Sequence, residues 1–297
     1  MKIPEYPDSR PVVLEDRQLL HPLFGRLQPD ISEFTFANIY LFRHAHEYRI
    51  CTLGASLVIL GRGYDGSDYF LPPLEGNVSS AAGDLLREGL TLFGADRAFL
   101  DRSLPLSEHL EVTEDRDSHD YLYLRRELAE LPGNRFHKKK NRISYFASRH
   151  PYLVEPYSSR RFKGALELLD IWSNARPVAA GSSLQHEVRA TAEGLEMAEE
   201  LGLSGVVVMV GKDVKAFALG ERLNSMTSVV HFEKGDPFLE GVSQLVDREF
   251  NAACFTDCHY VNREQDLGEP NLRRAKLSYH PVGLVEKFRV RYLRERQ

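Results

Sequence analysis

Residues 205–219, GVVVMVGKDVKAFAL, decide how the second half of this chain folds. An apolar run at 206–210 is followed by the polar turn Gly211-Lys212-Asp213 and by a second apolar run. Two short runs rich in β-branched residues on either side of a turn predict an antiparallel hairpin. TSVVHF, at residues 227–232, predicts a third strand next along the chain.

The segments around these strands have helical spacing. Apolar residues at intervals of three and four predict a helix over residues 162–172. Ser182 with Gln185 has the capping-box pattern and predicts a second helix, which ends at Gly202. After the strands, a helix is expected to open at residues 235–237, followed by a short strand at 258–261 and a last strand, KFRVRY, at 287–292.

The first half repeats this order. YRICTL and SLVILG predict a hairpin around Gly54-Ala55, followed by a strand at 68–71, a helix at 81–93 and a strand at 97–100. The same order recurs at an offset of about 160 residues, which predicts two copies of one α/β unit, each a mixed sheet flanked by helices. We place the boundary near residue 152, in a linker over 151–156, so that the domains are 1–152 and 153–297.

Composition limits the classes of protein that fit. The chain has 297 residues, a net charge of -5 and a pI of about 6.1, which argues against indiscriminate binding of nucleic acid by overall charge. The sequence shows neither a secretory signal nor a run of roughly 18 apolar residues that could span a membrane. Three cysteines do not suit a disulfide scaffold and fit a reducing compartment. We therefore expect a cytoplasmic protein of two domains.

Two familiar motifs fail on their context. Residues 61–66, GRGYDG, match G-x-G-x-x-G, but a strand-like, proline-stopped segment follows where a dinucleotide site needs a helix. We interpret this motif as a glycine-rich turn. Cys254 and Cys258-His259 lack the second pair of ligands that a structural zinc site needs, so no metal is expected. The chain also has no G-x-S-x-G, P-loop or H-E-x-x-H motif.

A basic run stands out against the acidic whole. On a helix, Phe136, Ile143 and either Phe146 or Ala147 would face inward, and the cations would spread over the outer face. A solvated face is the bland interpretation of such a run, and a phosphate-binding or RNA-binding surface is the functional one. The residues concerned are Arg135, Lys138, Lys139, Lys140 and Arg142, and we add Arg274 from the C-terminal segment.

A second polar concentration lies in the C-terminal stretch 260–290. Gly268 and Pro270 mark a loop that could present several polar side chains together. From spacing alone, a salt-bridged closing segment is an equal alternative. The candidate substrate-binding residues in this stretch are Asn262, Arg263, Glu264 and Asp266, and the candidate catalytic residues are Lys276 and Tyr279.

The segments RFHKKKNRISYF, HFEKG, YVNREQDLG and LRRAKLSYHPVGLVEKF resemble a bacterial family related to the C-terminal domain of phosphatidylglycerol lysyltransferase. The resemblance implies two tandem N-acetyltransferase-like domains. Better-understood relatives transfer an aminoacyl group from charged tRNA to a lipid head group or a peptidoglycan precursor. By this resemblance, Lys276 corresponds to a lysine that helps to neutralise phosphate.

This sequence departs from those relatives in two respects. The lysyltransferases carry a membrane-spanning portion that is missing from this sequence, which weakens the case for a lipid substrate. Residues 233–241, EKGDPFLEG, stand where coenzyme-A-dependent enzymes hold pyrophosphate. Pro237 removes an N–H donor there, and Asp236 would repel a phosphate, so coenzyme A is disfavoured.

The leading hypothesis is transfer of an aminoacyl group from tRNA to a small or lipid-linked acceptor, with no cofactor required. Glu233 or His231 would take a proton from the nucleophile, Tyr279 would donate to the leaving group, and Lys276 would compensate charge near the ester. The second domain would hold this site, and the first would be structural. The alternatives are a coenzyme-A-dependent N-acyltransferase and a non-catalytic protein that binds RNA or another phosphate ligand.

Overall fold

The computed structural model describes residues 2–104, 108–176 and 182–293. The chain divides into two compact units whose boundaries are not simple halves of the sequence. The first unit comprises Met1–Asp120, Gln265–Pro270 and Leu284–Gln297. The second comprises Tyr121–Glu264 and Asn271–Gly283.

The N-terminal part of the chain alternates short strands with helices. Its elements are β1 (Arg10–Pro11), α1 (Arg17–Leu27), α2 (Phe36–Leu41), β2 (Arg49–Leu53), β3 (Ser56–Arg62), β4 (Asp68–Phe70), α3 (Val78–Glu88), β5 (Thr91–Ala95), α4 (Arg97–Ser103) and β6 (Leu110–Glu114).

Longer strands and helices follow. They are β7 (Asp120–Leu124), α5 (Arg125–Glu130), α6 (His137–Ala147), β8 (Tyr152–Pro156), α7 (Phe162–Asn174), α8 (Ser183–Glu196), α9 (Ala198–Leu201), β9 (Ser204–Val210), β10 (Asp213–Arg222), β11 (Thr227–Gly235), α10 (Val242–Ala253), β12 (Tyr260–Asn262), α11 (Pro270–Leu277), β13 (Gly283–Val285) and β14 (Phe288–Tyr292).

The two sheets are built alike. The first has the order β1-β2-β3-β4-β5-β14-β6, and the second has the order β13-β7-β12-β11-β10-β9-β8. In the first, β2, β3 and β4 are antiparallel neighbours and β4 runs parallel to β5. In the second, β9, β10 and β11 are antiparallel neighbours and β11 runs parallel to β12. The predicted repeat of one mixed α/β unit is therefore confirmed in both strand order and pairing direction.

Residues 205–209 of β9 and 216–220 of β10 are buried on both faces of the second sheet, as their continuous hydrophobic runs predicted. Val206, Val208 and Ala218 pack with Leu245 and Phe250 of α10 in one buried cluster. Gly211 turns the β9–β10 hairpin at a φ of 62°, a left-handed value that suits glycine. This packing holds β11 rigidly beside α10, where the candidate site lies.

Helix ends follow local chemistry. The Ser182 hydroxyl accepts from the N–H of Gln185 at 3.3 Å, so the predicted cap of α8 is confirmed. Gly89, at a φ of 100°, ends α3 earlier than predicted, and residues 91–95 form β5. The predicted strand at 97–100 is wrong, because Asp96 caps the N–H of Phe99 at 2.7 Å and starts α4.

The interpretation of residues 151–156 as a linker is wrong as well. This segment is β8, an edge strand paired with β9 along its whole length. Both prolines lie at or beyond its ends, where an edge strand tolerates them. A boundary at residue 152 would fall inside the second unit, which begins at residue 121. Helix α6 and strand β8 thus belong to the second unit and not to a junction.

Two further segments are placed by their turns. Residues 61 and 62 of the glycine-rich motif end β3, and residues 63–66 form the predicted turn, closed by the N–H of Gly66 donating to Gly63 O at 2.9 Å, before β4 begins. Helix α10 begins at Val242 and not at 235–237, because β11 extends to Gly235. In the described ranges, no helix combines the length and the apolar character that crossing a bilayer requires.

Candidate active site

Arg263 is the centre of a buried charged cluster in the second unit. It directly follows β12, and its Nη2 donates to Glu233 Oε2 on β11 at 2.8 Å. Its Nη1 lies 3.3 Å from Asp247 Oδ1 on α10. Asp247 is 1% exposed, while Glu233 and Arg263 keep 18% and 14% of their side chains accessible. Within this cluster, Asp247 on α10 is buried, whereas the Glu233 side chain is partly exposed to solvent.

Aromatic rings and a second cation complete the cluster. The Arg263 Cζ lies 5.0 Å from the centre of the Tyr279 ring and 5.7 Å from that of Tyr123. The Nζ of Lys139, on α6, lies 3.7 Å from the centre of the Tyr279 ring and donates to Ser278 Oγ at 2.6 Å. Tyr279 thus has close contacts with two cations, each stabilised by the electron-rich face of the ring.

Burial shifts the pKa values of the two acids and of Lys139 in this cluster toward neutral pH. It raises the pKa of Glu233 to about 7, against the opposing attraction of Arg263. It lowers the pKa of Lys139 to about 8. Burial also raises the pKa of Asp247 and of the Tyr279 hydroxyl. Perturbed groups that meet in one partly open site are typical of acid–base chemistry.

His231 lies in a separate arrangement two residues before Glu233. Its Nδ1 bonds to Glu264 Oε1 at 2.8 Å and its Nε2 to Glu221 Oε1 at 2.9 Å. Burial opposes the charged ring, but the two hydrogen bonds prevail and raise the pKa of His231 to about 10. Both ring nitrogens are committed to carboxylates, so His231 has no lone pair with which to accept a proton.

Three of the four predicted substrate-binding residues, Asn262, Arg263 and Glu264, form one supporting segment of the second unit. Asn262 is buried, and its Oδ1 accepts from the N–H of Glu264 at 2.8 Å. The Nζ of Lys276 donates to the carbonyl oxygens of Arg263 and Glu264. Lys276 therefore holds the segment through its backbone. Asp266 belongs to the first unit, where its Oδ1 accepts from the N–H of Gly268 at 2.9 Å.

Most of the predicted RNA-binding residues lie on the exposed side of α6 and nearby. Arg135 is paired with Glu127, and Arg142 lies 3.8 Å from Glu240. Lys139 differs from its neighbours because it turns toward Tyr279. The exposed members are Arg135, Lys138, Lys140, Arg142 and, on α11, Arg274.

Several backbone N–H groups of the loop after β11 already donate hydrogen bonds within the protein. The N–H of Phe238 donates to Asp236 Oδ1 at 3.0 Å, and the N–H of Leu239 donates to Asp236 O at 3.1 Å. The N–H of Asp236 itself donates to Lys215 O at 2.9 Å. A pyrophosphate cradle needs such donors to point outward. The loop geometry therefore adds to the argument from Pro237 against coenzyme A.

Three residues of these clusters were missed in the sequence: Glu221, Asp247 and Tyr123. Asp247 had a usable signal, because it and Asn251 are spaced four apart on a helix whose other inward residues are apolar. Glu221 and Tyr123 lie on strands that are far in sequence from the C-terminal segment. No local sequence pattern identifies them as residues of a site. Within the described part of the chain, no group of three or more His, Cys, Asp or Glu is arranged to hold a metal ion.

Comparison with protein families gives one match over most of the chain. The model of the family "Phosphatidylglycerol lysyltransferase, C-terminal" matches residues 24–291. No curated protein sequence matches.

Several solved structures are similar. A conserved protein of unknown function from Bacteroides thetaiotaomicron is 29% identical with a TM-score of 0.85, over 96% of this chain and 99% of that one. L-PGS from Bacillus licheniformis is 13% identical with a TM-score of 0.65, over 100% and 95%. The C-terminal domain of a putative lysylphosphatidylglycerol synthetase from Agrobacterium fabrum is 11% identical with a TM-score of 0.61, over 93% and 91%. The last two likenesses show the fold.

Proposed function

We infer that this chain, which belongs to the family of phosphatidylglycerol lysyltransferase C-terminal domains, is an acyltransferase-like protein. We propose that it transfers an aminoacyl group from aminoacyl-tRNA to an amine or hydroxyl of a small or lipid-linked acceptor. The observation that carries this proposal is the cluster of Glu233, Arg263, Tyr279 and Lys139. It supplies a base, two cations and a hydroxyl donor without a nucleophilic side chain.

An aminoacyl ester is already activated, so the site needs only to align the reactants, move one proton and stabilise an oxyanion. Glu233, with a pKa of about 7, accepts the proton of the attacking amine or hydroxyl. The acceptor atom bonds to the ester carbon, and the bond from that carbon to the tRNA oxygen breaks. The leaving oxygen takes the proton back from Glu233, so the protein returns to its starting state.

The cations would stabilise the charge that develops on the ester. The Nζ of Lys139 and the Cζ of Arg263 lie 3.7 and 5.0 Å from the centre of the Tyr279 ring, so a carbonyl oxygen bound beside this ring would lie near both positive groups. The Tyr279 hydroxyl keeps its proton because burial and its hydrogen bond to Asp247 raise its pKa. It would turn from Asp247 to donate a hydrogen bond to the leaving oxygen. Lys276 serves this arrangement indirectly, through the carbonyl oxygens of residues 263 and 264.

The RNA would lie along the exposed cations of α6. Lys138, Lys140 and Arg142 surround the position of Lys139 on this helix, so phosphate contacts on its outer face would place the charged end of a tRNA near Tyr279. Coenzyme A remains disfavoured as the acyl donor by the loop after β11. The first unit would serve as a structural or docking copy.

The test follows the fate of the acyl group. Total tRNA charged with radiolabelled amino acids is mixed with the purified protein and with a cell extract divided into water-soluble and lipid fractions. The expected result is transfer of label from the RNA into one fraction, greatly reduced in Glu233→Gln, whose amide oxygen can still accept from Arg263. Lys138→Ala/Lys140→Ala should need more tRNA for the same rate.

Three outcomes would contradict the proposal. Binding of tRNA without any protein-dependent transfer would leave a non-catalytic RNA-binding protein. Transfer from acetyl-coenzyme A but not from tRNA would favour an N-acyltransferase. Equal transfer by wild-type protein and Glu233→Gln would remove the proposed base.

A further inference from the structure

Glu221, His231 and Glu264 form a continuous bridge in the second unit. Glu221 lies on β10, His231 on the neighbouring β11, and Glu264 in the segment after β12. The His231 side chain is 0% exposed, and the Glu221 and Glu264 side chains are 6% and 17% exposed. Because each ring nitrogen faces a carboxylate oxygen, both must carry a hydrogen, and the ring is a cation between two anions.

The bridge fixes one residue of a strained segment. Glu264 has a φ of 56°, a left-handed value that costs a non-glycine residue free energy. Its backbone is held by the Asn262 side chain, by Lys276 and by the N–H of Tyr121, which donates to Glu264 O at 3.2 Å. His231 adds the hold on its side chain. The conformation of residues 262–264 is thus determined from several sides.

Two consecutive residues of this segment, Arg263 and Glu264, form hydrogen bonds to side chains of β11. His231 bonds to Glu264, and Glu233 bonds to Arg263. His231 is the extra residue of a β-bulge, because Leu219 and Gly220 of β10 pair with Phe232 and Val230 of β11. The two contacts are linked through the backbone, since Arg263 and Glu264 are adjacent in the chain. A shift of Glu264 away from His231 would therefore move the backbone that carries the Arg263 guanidinium.

We propose that His231 is a positioning residue: its bridge between Glu221 and Glu264 locks residues 262–264 so that Arg263 is presented to the reacting ester. It does not accept a proton in the reaction. The kinetic part of this inference rests on the proposed aminoacyl transfer, whereas its structural part does not. Removing the cation leaves the carboxylates of Glu221 and Glu264 on either side of an uncharged position, and their repulsion would release the segment.

The first readout is independent of any reaction. In wild-type protein, both ring N–H groups of His231 should give NMR signals at pH 8, and the Glu264 amide should exchange slowly with solvent. In His231→Gln, which can donate to only one of the two acids, the Glu264 amide should exchange faster and the Arg263 Nε signal should shift. His259→Gln, at an exposed position of the same unit, is the matched control. Unchanged exchange and an unchanged Arg263 signal in His231→Gln would overturn the proposal.

The second readout separates positioning from proton transfer. In His231→Gln, the rate at saturating aminoacyl-tRNA should fall, by up to about 100-fold, the cost of a misplacement near 1 Å. Affinity for tRNA should change less than about twofold, since the cations of α6 are untouched. The remaining rate should still rise with pH around 7, because Glu233 sets that dependence.

The two proposals fail in different ways. A protein that shows no transfer but still loses protection of Glu264 in His231→Gln would refute the proposed function and keep the bridge. Loss of the inflection near pH 7 in His231→Gln, with the rate of Glu233→Gln unaffected, would make His231 the base and overturn its positioning role.

Discussion

The guanidinium of Arg263 donates to Glu233 at 2.8 Å, although 30 positions separate the two residues in sequence. Burial nevertheless holds the pKa of Glu233 near 7. A carboxyl group beside a permanent cation ordinarily has a lowered pKa, because the cation stabilises the ionised form. Desolvation thus outweighs attraction at this carboxyl, and Glu233 can gain or lose a proton near neutral pH while Arg263 stays charged.

Replacing Arg263 with Met should destabilise the second unit. The change leaves Glu233 and Asp247 without their cation, and breaking a buried ion pair from one side typically costs about 3–5 kcal/mol. Urea denaturation would measure the loss. Adding Glu233→Gln to the Arg263→Met variant should restore part of it, because one uncompensated charge disappears. A double variant less stable than the single one would show that the two residues are not coupled.

The transfer rate should depend on the protonation of Glu233. A base must be unprotonated, so the rate should increase as the pH rises through about 7 and level off above it. Initial rates between pH 5.5 and 8.5, a range chosen around that pKa, would show this. The His231 ring stays protonated throughout this range, since its pKa is about 10. A rate that falls across the range would contradict the assignment of Glu233.

Lys139 should react with amine reagents faster than its neighbours. With a pKa of about 8, roughly half of its amines are neutral at pH 8, against under about one per cent for an ordinary lysine. Limited acetylation followed by peptide mass spectrometry would compare it with Lys138 and Lys140, which serve as internal controls. Labelling of all three at the same rate would mean that Lys139 is not desolvated.

The salt dependence of tRNA binding should identify the cations of α6 that bind phosphate. Each phosphate-binding cation that a variant removes should reduce the slope of log affinity against log salt by about one. Lys138→Ala/Lys140→Ala should therefore flatten the slope, whereas Lys212→Ala, in the turn before β10, should leave it unchanged. If the salt-dependence slope changes equally in the Lys138→Ala/Lys140→Ala variant and in Lys212→Ala, the RNA does not bind along α6.

Gly241 ties the loop after β11 to α6. It has a φ of 96°, and an added Cβ would lie 2.0 Å from the carbonyl oxygen of Arg142. Gly241→Ala should lower the free energy of unfolding by about 1–3 kcal/mol, the usual cost of strained backbone. The added Cβ should also displace α6. Gly283→Ala, which meets open space, is the control. Thermal unfolding gives the stability, and an unchanged rate of Lys139 acetylation in Gly241→Ala would show that α6 has not moved.

Much of the fold was readable from local pattern. The runs that form β9, β10 and β11 are long and apolar, and the turn at Gly211 demands the conformation that glycine allows. The segment of β8 was not readable, because two prolines and exposed residues suggest a linker until β9 supplies the partner. Likewise α4 follows from a single cap at Asp96, which is too local to appear as periodicity.

The site was readable only where its residues cluster in sequence. Arg263 and Tyr279 belong to the polar C-terminal stretch, and Glu233 directly follows the strand predicted at residues 227–232. Asp247 comes from the buried side of α10 and Lys139 from α6, so only tertiary packing brings them to Arg263. The role expected for His231 as a base was reasonable from residue type. The two carboxylates that commit its nitrogens lie 10 and 33 positions away.

Strand β14 occupies the space between β5 and β6 in the first sheet. A ribosome that has translated β6 must still produce the whole second unit before residue 288 emerges. Until then β6 has no neighbour in its sheet, and β5 presents an open edge of the kind that promotes aggregation. The unit whose synthesis begins first is therefore the last to be completed. In a nascent chain, the sheet of the N-terminal unit cannot close until the C-terminal strand has been made.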